Sequence, residues 1–380
     1  MKSGFFFIPA LYFIGNFYLY TWATRLIQPS PALRKGILLC LIFFLGLFPV
    51  SKIWARYDFN SFNHLLSLLS SLWMGLTLLF IVLTVGSDAI RILWRRISLP
   101  RAVSRHRSLS YPRLLMAGIT FGGLTLGGYA FWEARNIEVT RIEIPLRQLP
   151  PDLDGLSIMQ ISDVHYGMLQ ENGRLSDIVH RVNDLQPDLV VITGDLVDEA
   201  VSNMEEMAGP LSGLKSRFGV LAIMGNHEFF AGVDRAEAIM KRAGIQVLRN
   251  QIKVLPGGLQ VLGIDDPTVY RRMGLLQPDF DGLVKRLDPQ KPSILLYHQP
   301  VRFEEVARSG VGLQLSGHIH GPQLLPMVPF TRLFYSHLRG LSHVGESYLY
   351  VSRGVGTGGP PMRLGSPPEL VYIRLRSPKS

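Results

Sequence analysis

Two different hydrophobic patterns divide the 380-residue chain. Before Glu133, the apolar positions form four long runs at about residues 4–24, 36–54, 63–86 and 113–132. Each run is close to the roughly 20 residues that a helix needs to cross the apolar core of a bilayer. The pattern therefore predicts an all-α membrane unit of about four transmembrane helices over residues 1–136. A second unit with a different hydrophobic pattern follows over residues 137–380.

The second of these runs is the weakest candidate for a membrane span. Pro49 and Lys52 leave it an apolar centre of about 14 residues, which is shorter than a comfortable span. A re-entrant or interfacial segment is the alternative here. The first run is N-terminal but long and aromatic, and it has no small-residue cleavage site, which favours a span over a signal peptide.

Positive charge is concentrated in the predicted membrane unit. Residues 1–136 contain 14 Lys and Arg and three acidic residues, whereas residues 137–380 contain 25 and 26, respectively. Because the second unit is near neutral, we expect no nucleic-acid partner. The only cysteine, Cys40, excludes an intramolecular disulfide and a Cys-rich zinc site.

The connecting segments differ in positive charge, and this difference predicts an orientation in a cell membrane. Residues 87–113 hold seven arginines, and the segment after the first run has Arg25, Arg34 and Lys35, whereas the next segment has only Lys52 and Arg56. Lys and Arg favour the cytoplasmic face. With four spans, the second unit is then expected on the extracytoplasmic side. The alternative for residues 87–113 is a surface helix on anionic lipid.

From about residue 138, short β-type runs alternate with helical stretches. Five runs end in turn or polar residues: LSIMQIS, DLVVIT, GVLAIM, SILLY and VGLQLS. Continuous apolar runs of this length are typical of strands buried on both faces. Between the first two runs, residues 173–187 have apolar positions at helical spacing and a proline stop. The sequence therefore predicts a layered α/β fold.

Each of these five runs is followed by side chains that can bind a metal or transfer a proton. They are Asp163 and His165; Asp195; Asn226 and His227; His298; and His318 and His320. Taken singly, such residues are usually turn formers, helix caps or hydrogen-bonded core histidines. Loops beyond strand ends are, however, where α/β folds assemble their sites, so five together predict one shared site.

Carboxylate, imidazole and amide ligands without thiolate suit borderline-hard divalent ions such as Mn, Fe or Zn. Without His227, the list above contains seven such ligands, which exceed the needs of one ion. A pair of ions can stabilise the attacking and leaving oxygens in displacement at phosphorus. The residues therefore predict phosphoester hydrolysis.

Five motifs, in order, resemble those of the calcineurin-like metallophosphoesterases over about residues 155–375. They are Asp163-x-His165, Gly194-Asp195-x-x-Asp198, Gly225-Asn226-His227-Glu228, the isolated His298, and Gly317-His318-x-His320. GNHEFFAG and the glycine-rich tail at residues 350–370 resemble the membrane-associated branch, the YkuE-like and transmembrane proteins with a metallophosphoesterase domain. The resemblance implies a four-layer α/β/β/α sandwich. Pro322 replaces a glycine found in many relatives, which puts the shape of that loop in doubt.

The resemblance also implies roles for the site residues. It assigns one metal ion to Asp163, His165 and His320, a second ion to Asn226, His298 and His318, and the bridging position to Asp195. It assigns transition-state stabilisation and protonation of the leaving alkoxide to His227. Two divalent ions are implied, Mn first, with Fe or Zn as alternatives. The implied reaction is hydrolysis of a phosphomonoester or phosphodiester by in-line attack of a metal-bridging hydroxide. A membrane location suggests a lipid-linked or envelope substrate.

Other polar residues have weaker assignments. Asp198 is expected to hydrogen-bond a ligand or its loop, and Glu228 either orients His227 or is solvated. Arg353 and Arg363 either contact substrate phosphate or hold a loop. The remaining histidines are expected at the surface (His337 and His343) or in structural or solvated positions (His64, His106 and His180).

A different class of function is a catalytically inactive, metal-dependent sensor or binding domain coupled to the membrane helices. Retention of every ligand type together with His227 argues against it. Transport by the helices has little support, because the apolar runs carry almost no charge to mark an ion path.

Overall fold

A computed structural model describes residues 4–54, 60–97, 110–167, 169, 172–198 and 203–378. The chain forms two compact units. The first comprises Met1–Trp132 and Gly359–Met362, and the second comprises Glu133–Gly358 and Arg363–Ser380.

All four predicted apolar runs are helical, as α1 (Gly4–Ile27), α2 (Pro31–Trp54), α3 (Ser61–Ile97) and α4 (Ser110–Glu133). Within the described residues, three stretches are long and apolar enough to cross a membrane: Pro31–Ser51, Ser61–Trp94 and Tyr111–Glu133. Residues 1–3 and the side chains of residues 4–11 are not described, so the first predicted span is described only in part. Arg101, Arg105 and Arg107, three of the seven arginines, also lie outside them.

The second run forms a longer helix than predicted. Helix α2 starts at Pro31 and continues through Pro49. Proline suits the first turn of a helix, where its missing N–H has no intrahelical partner, and Ser30 Oγ accepts a hydrogen bond from the Leu33 N–H at 3.3 Å. The resulting stretch of 21 residues is long and apolar enough to cross a bilayer, which favours a span over a re-entrant segment.

Polar and small side chains lie at the contacts among these helices. Trp73 Nε1 donates to Asn16 Oδ1 at 3.2 Å, and the hydroxyls of Ser51 and Ser70 are 3.1 Å apart. Such contacts favour helix association in lipid, where apolar burial alone gives little preference for a neighbouring helix.

The second unit alternates strands and short helices around two six-stranded sheets. In chain order its elements are β1 (Glu138–Pro145), β2 (Ser157–Ile161), α5 (Asn172–Asp184), β3 (Leu189–Ile192), α6 (Ala208–Leu211), β4 (Val220–Ala222), α7 (Asn226–Ala231), α8 (Val233–Arg242), β5 (Gln246–Val247), β6 (Gln251–Val254), β7 (Gln260–Ile264), α9 (Pro267–Met273), α10 (Phe280–Lys285), β8 (Ser293–Tyr297), α11 (Phe303–Arg308), β9 (Leu313–Ser316), α12 (Val328–Thr331), β10 (Gly340–Val344), β11 (Ser347–Val351) and β12 (Glu369–Arg376). Short 3-10 helices lie at Pro151–Leu153, Met204–Met207, Pro256–Gly258 and Leu325–Met327.

The strand order is β1-β12-β2-β3-β4-β5 in one sheet and β10-β11-β9-β8-β7-β6 in the other. Strands β2 to β5 are parallel, and so are β7, β8 and β9. The five strands that precede the predicted ligands therefore lie in these parallel parts. Parallel strands present their carboxyl ends at one edge of a sheet, and this positions the loops that follow them.

Alternate residues of the strands pack on opposite faces of each sheet. Leu189 and Val191 of β3 pack between the two sheets, together with Leu296 of β8. Val190 and Ile192 face the other way and pack in a second core with residues of α5 and α8. A third core lies on the outer face of the other sheet, against α10 and α11. These layers confirm the predicted four-layer α/β/β/α sandwich.

Candidate metal centre

The loops after the parallel strands hold several predicted ligands in a backbone conformation that side chains rarely adopt. The φ angles are positive at five of them: Asp163 (52°), His165 (50°), Asp195 (52°), His318 (74°) and His320 (55°). A left-handed residue other than glycine costs about 1–3 kcal/mol and persists only where its surroundings require it. Strain of this kind is concentrated at functional sites.

Two motif glycines allow these loops to approach one another closely. A Cβ on Gly225 would lie 2.3 Å from Asp195 Oδ1, and a Cβ on Gly317 would lie 2.2 Å from Asp163 Oδ2. The φ of Gly225 is an ordinary −88°. Glycine is therefore required here by close approach to a carboxylate rather than by an unusual turn.

The first ligand cluster contains Asp163, His165 and His320, whose possible ligand atoms lie within 4.8 Å of one another. His165 Nε2 and His320 Nε2 are 3.0 Å apart, and His320 Nε2 is 3.8 Å from Asp163 Oδ1. Ser162 Oγ and the backbone N–H of His318 donate to the Asp163 carboxylate, which fixes its orientation.

The second cluster contains Asp195, His298 and His318, also within 4.8 Å of one another. His298 Nε2 is 3.0 Å from Asp195 Oδ2 and 3.3 Å from His318 Nδ1. The other ring nitrogen of His298, Nδ1, lies 2.8 Å from the Thr193 carbonyl oxygen, to which it donates. A carbonyl in this position orients a histidine so that Nε2 faces the cluster.

Asp195 contacts both clusters. Its Oδ2, which faces His298, is also 3.9 Å from His165 Nε2. Its Oδ1 accepts a hydrogen bond from the backbone N–H of His227 at 2.9 Å. The carboxylate therefore lies where a bridging ligand is expected.

Asn226 lies at the start of α7, directly after the β4 loop. Its side-chain oxygen is buried and has no hydrogen-bond partner among the described residues. A buried acceptor without a partner costs about 1–3 kcal/mol, which a bound cation would offset. This orphaned oxygen, together with imidazole nitrogens that face one another, fits a site for divalent metal ions.

Burial and neighbouring charges shift the protonation of the cluster. Burial lowers the pKa of His165 to about 3 and that of His318 to about 4, and it holds the pKa of His320 well below its usual range. These three imidazoles are therefore neutral near pH 7. Burial raises the pKa of Asp163 to about 6.

His298 differs from the other histidines. Burial alone would lower its pKa, but the adjacent Asp195 carboxylate raises it to about 10. Burial likewise opposes the charged form of Asp195, whereas His298 and His227 hold the pKa of that carboxyl well below its usual range.

His227 lies at the rim of the site. Its ring centroid is 4.6 Å from that of His165, with the two rings edge to face. Its Nδ1 is 3.4 Å from Asp198 Oδ1, and its side chain is 22% exposed. Asp198 is thus beside His227, and its charge also acts on the predicted ligand His165. A partly exposed imidazole next to the clusters can reach a bound substrate.

Comparison with known proteins agrees with this geometry. Residues 156–322 match the family model described as calcineurin-like phosphoesterase. An uncharacterized metallophosphoesterase from Aquifex aeolicus is 35% identical over 260 residues, which are 67% of this chain and 98% of that protein. This chain belongs to the calcineurin-like metallophosphoesterases.

Two further relatives of this chain carry the names of the membrane-associated branch of the family. The Danio rerio protein described as a transmembrane protein with metallophosphoesterase domain is 32% identical over 97% of this chain and 88% of its own length. The Bacillus subtilis metallophosphoesterase YkuE is 31% identical over 69% of this chain and 95% of its own length. The resemblance in the sequence motifs is therefore confirmed.

Glu228 of this metallophosphoesterase has neither of its predicted roles. The side chain is fully buried and accepts hydrogen bonds from three backbone N–H groups: Asp195 at 3.0 Å, Val197 at 3.0 Å and Gly225 at 2.7 Å. It joins the loop of the bridging carboxylate to the loop that carries Asn226 and His227.

Arg353 and Arg363 both donate hydrogen bonds to other groups of this chain. Arg353 donates to Glu369 at 2.9 Å and to Glu138 at 3.1 Å. Arg363 is fully buried and donates to the backbone carbonyls of Gly354, Gly356 and Ser366, and it lies 3.2 Å from His320 Nδ1. Of the two predicted alternatives, the structure places both arginines in the loop-holding role.

Sequence reasoning missed Tyr335, whose hydroxyl lies 2.9 Å from His318 Nε2. Tyr335 is in an insertion without periodicity, so no local signal marks it. His337 was expected at the surface but is partly buried, with Nδ1 3.1 Å from Ser342 Oγ. His180 and His343 are exposed, His64 is partly buried in α3, and His106 lies outside the described residues.

Proposed function

We propose that this chain is a membrane-anchored phosphoesterase that uses two divalent metal ions to hydrolyse phosphomonoester or phosphodiester bonds. The observation that carries the proposal is the position of Asp195, whose Oδ2 faces both His298 and His165. One carboxylate shared by two ligand clusters is the arrangement expected for a pair of ions.

The proposed ligands of one ion are Asp163, His165 and His320, and those of the other are Asn226, His298 and His318, with Asp195 shared. The ions, Mn with Fe or Zn as alternatives, would supply Lewis acidity that neutralises phosphate charge and lowers the pKa of water. Asn226 contributes a neutral oxygen, which limits the negative charge that an anionic substrate meets.

His227 is the proposed general acid. Its ring lies next to His165 and at the exposed rim, so it can donate a proton to the leaving oxygen. Asp198, 3.4 Å from His227 Nδ1, orients the ring so that Nε2 is the nitrogen available for that transfer.

The helices of the first unit are proposed as a multi-pass membrane anchor. The charge bias of the connecting segments supports an extracytoplasmic phosphoesterase unit. Protease treatment of intact cells tests this orientation. Cleavage between residues 137 and 380 is expected without permeabilisation, and protection of that region until the membrane is opened would contradict it.

The function is tested with the full chain purified in detergent and loaded with Mn. We expect hydrolysis of p-nitrophenyl phosphate or bis(p-nitrophenyl) phosphate, and its loss in Asp195→Ala. Asp184→Ala is the matched control, because Asp184 is an exposed aspartate at the end of α5. Bound metal without turnover across a broad ester panel would contradict the enzyme and support a sensor.

A further inference from the structure

Large apolar side chains are exposed on the segment that follows the last predicted ligands. Leu333 and Phe334 are 76% and 72% exposed, and Leu325 and Phe330 are each 53% exposed. We call residues 325–336 the apolar segment. Contiguous exposed apolar surface on a soluble unit is uncommon and marks a binding surface.

The apolar segment is joined to the candidate metal centre. Tyr335 directly follows Phe334, and its hydroxyl lies 2.9 Å from His318 Nε2. The Tyr335 and His318 ring centroids are 5.7 Å apart. A ligand whose phosphate reached the centre would therefore have apolar surface next to it.

A second exposed apolar stretch, residues 271–276, is linked to the centre through His227. It includes Met273 and Leu275, which are about half exposed, and Leu276, which is 95% exposed. The guanidinium of Arg272 lies 4.9 Å from the centre of the Phe230 ring, and that ring is 6.2 Å from the His227 ring.

Both stretches carry positive charge and no acid. Residues 325–336 contain Arg332 but no Asp or Glu, and residues 271–276 contain Arg271 and Arg272 but no Asp or Glu. Apolar side chains interspersed with arginine complement an amphiphile that has an anionic head group and hydrocarbon tails.

The geometry points to a phospholipid substrate whose acyl chains bind the apolar segment and residues 271–276 while its phosphate lies at the metal centre. This inference rests on the proposed phosphoesterase function and narrows its substrate class. The step is ordinary hydrolysis: a water oxygen bonds to phosphorus, the ester P–O bond breaks, and the leaving alkoxide takes up a proton. A small soluble ester would gain nothing from apolar side chains at this position.

The test compares phospholipids that share a head group but differ in chain length. The full chain, loaded with Mn in non-ionic detergent, is given dibutyryl and dipalmitoyl forms of phosphatidate, a monoester, and phosphatidylglycerol, a diester. Bis(p-nitrophenyl) phosphate and p-nitrophenyl phosphate serve as soluble probes. The variants are Leu333→Ser with Phe334→Ser, and separately Leu276→Ser. Val254→Ser is the control, since Val254 is also exposed but lies on the edge strand β6.

We expect kcat/KM for a dipalmitoyl lipid to exceed that for its dibutyryl form by about tenfold or more, as burial of several methylenes requires. The serine variants should lose this preference and keep activity on the soluble probes, whereas Val254→Ser should keep both. A photoreactive dipalmitoyl phosphatidate should label peptides that contain residues 325–336, and this readout needs no turnover.

Equal kcat/KM for the two chain lengths in the unaltered chain would overturn the inference and leave the phosphoesterase proposal standing. A photoreactive diacylglycerol, which lacks the phosphate, is the comparison for the labelling. If it labels residues 325–336 as strongly as the phosphatidate does, the inference is also overturned, because the surface then binds bilayer or detergent without regard to phosphate. Failure to hydrolyse even the soluble probes would contradict the proposed function itself. If the double variant does not fold, Leu276→Ser and the labelling decide.

Discussion

His298 Nε2 lies 3.0 Å from Asp195 Oδ2, and the two side chains form a fully buried ion pair. Burial opposes the charge on His298, but Asp195 raises the pKa of the imidazole to about 10. The metal-free protein therefore carries a proton at a nitrogen that must be unprotonated to bind metal.

Metal binding at pH 7 is expected to release at least one proton per chain, namely the proton on His298. Since His165 and His318 have pKa values of about 3 and 4, they are already neutral and release none. The affinity for metal should increase with pH up to about 10. Titration calorimetry in buffers of different ionisation enthalpy measures the proton number. Release of no proton at pH 7 would show that His298 is not charged in the metal-free state.

Replacement of Glu228 by alanine should destabilise the second unit. The substitution leaves three buried backbone N–H groups without their acceptor, at a cost of about 3 kcal/mol or more. The thermal midpoint in detergent is the measurement, and Glu346→Ala is the control because Glu346 is exposed. Equal midpoints for the two variants would show that Glu228 does not hold the loops together.

Gly225→Ala should disrupt the centre by steric conflict alone. The added Cβ would lie 2.3 Å from Asp195 Oδ1, and overpacking of this kind costs about 1–3 kcal/mol. We expect a lower thermal midpoint and weaker metal binding. Gly209→Ala is the matched control, since a Cβ on Gly209 meets nothing within 4 Å. Normal metal affinity in Gly225→Ala would contradict the close packing described here.

His227→Gln should separate proton transfer from metal binding. Loss of a general acid lowers turnover by about 10²- to 10⁴-fold. Metal content should be unchanged, because His227 is not among the proposed ligands. Steady-state kinetics and metal analysis on the same sample test this, with His180→Gln as the control for an exposed histidine. Loss of metal together with activity would place His227 among the ligands.

The layered fold was predictable because it depends on local patterns. Apolar runs such as residues 189–192 are long enough to be recognised as buried strands, and the polar residue that ends each run lies at the carboxyl edge of the sheet by topology alone. Asp163 and His320 could therefore be placed in one site although they are far apart in sequence. The resemblance of the ordered motifs to a known family added the proposed pairing of ligands to ions.

The supporting contacts were not predictable, because they depend on which distant segments pack together. Glu228 was expected either to orient His227 or to be solvated, yet folding buries it against the Asp195 loop. The sequence could not decide whether Arg363 contacts phosphate or holds a loop, and its hydrogen bonds to backbone carbonyls show the second. Tyr335 reaches His318 from an insertion whose conformation no periodicity indicates.

The most direct test of the central claim is the number of divalent ions bound per chain. The full-length protein, saturated in turn with Mn, Fe and Zn, is measured by elemental analysis and native mass spectrometry. We predict two ions per chain for at least one of these metals, and a single ion in Asn226→Ala, because Asp163, His165 and His320 are retained. Binding of one ion or none by the unaltered protein with all three metals would contradict a dinuclear centre.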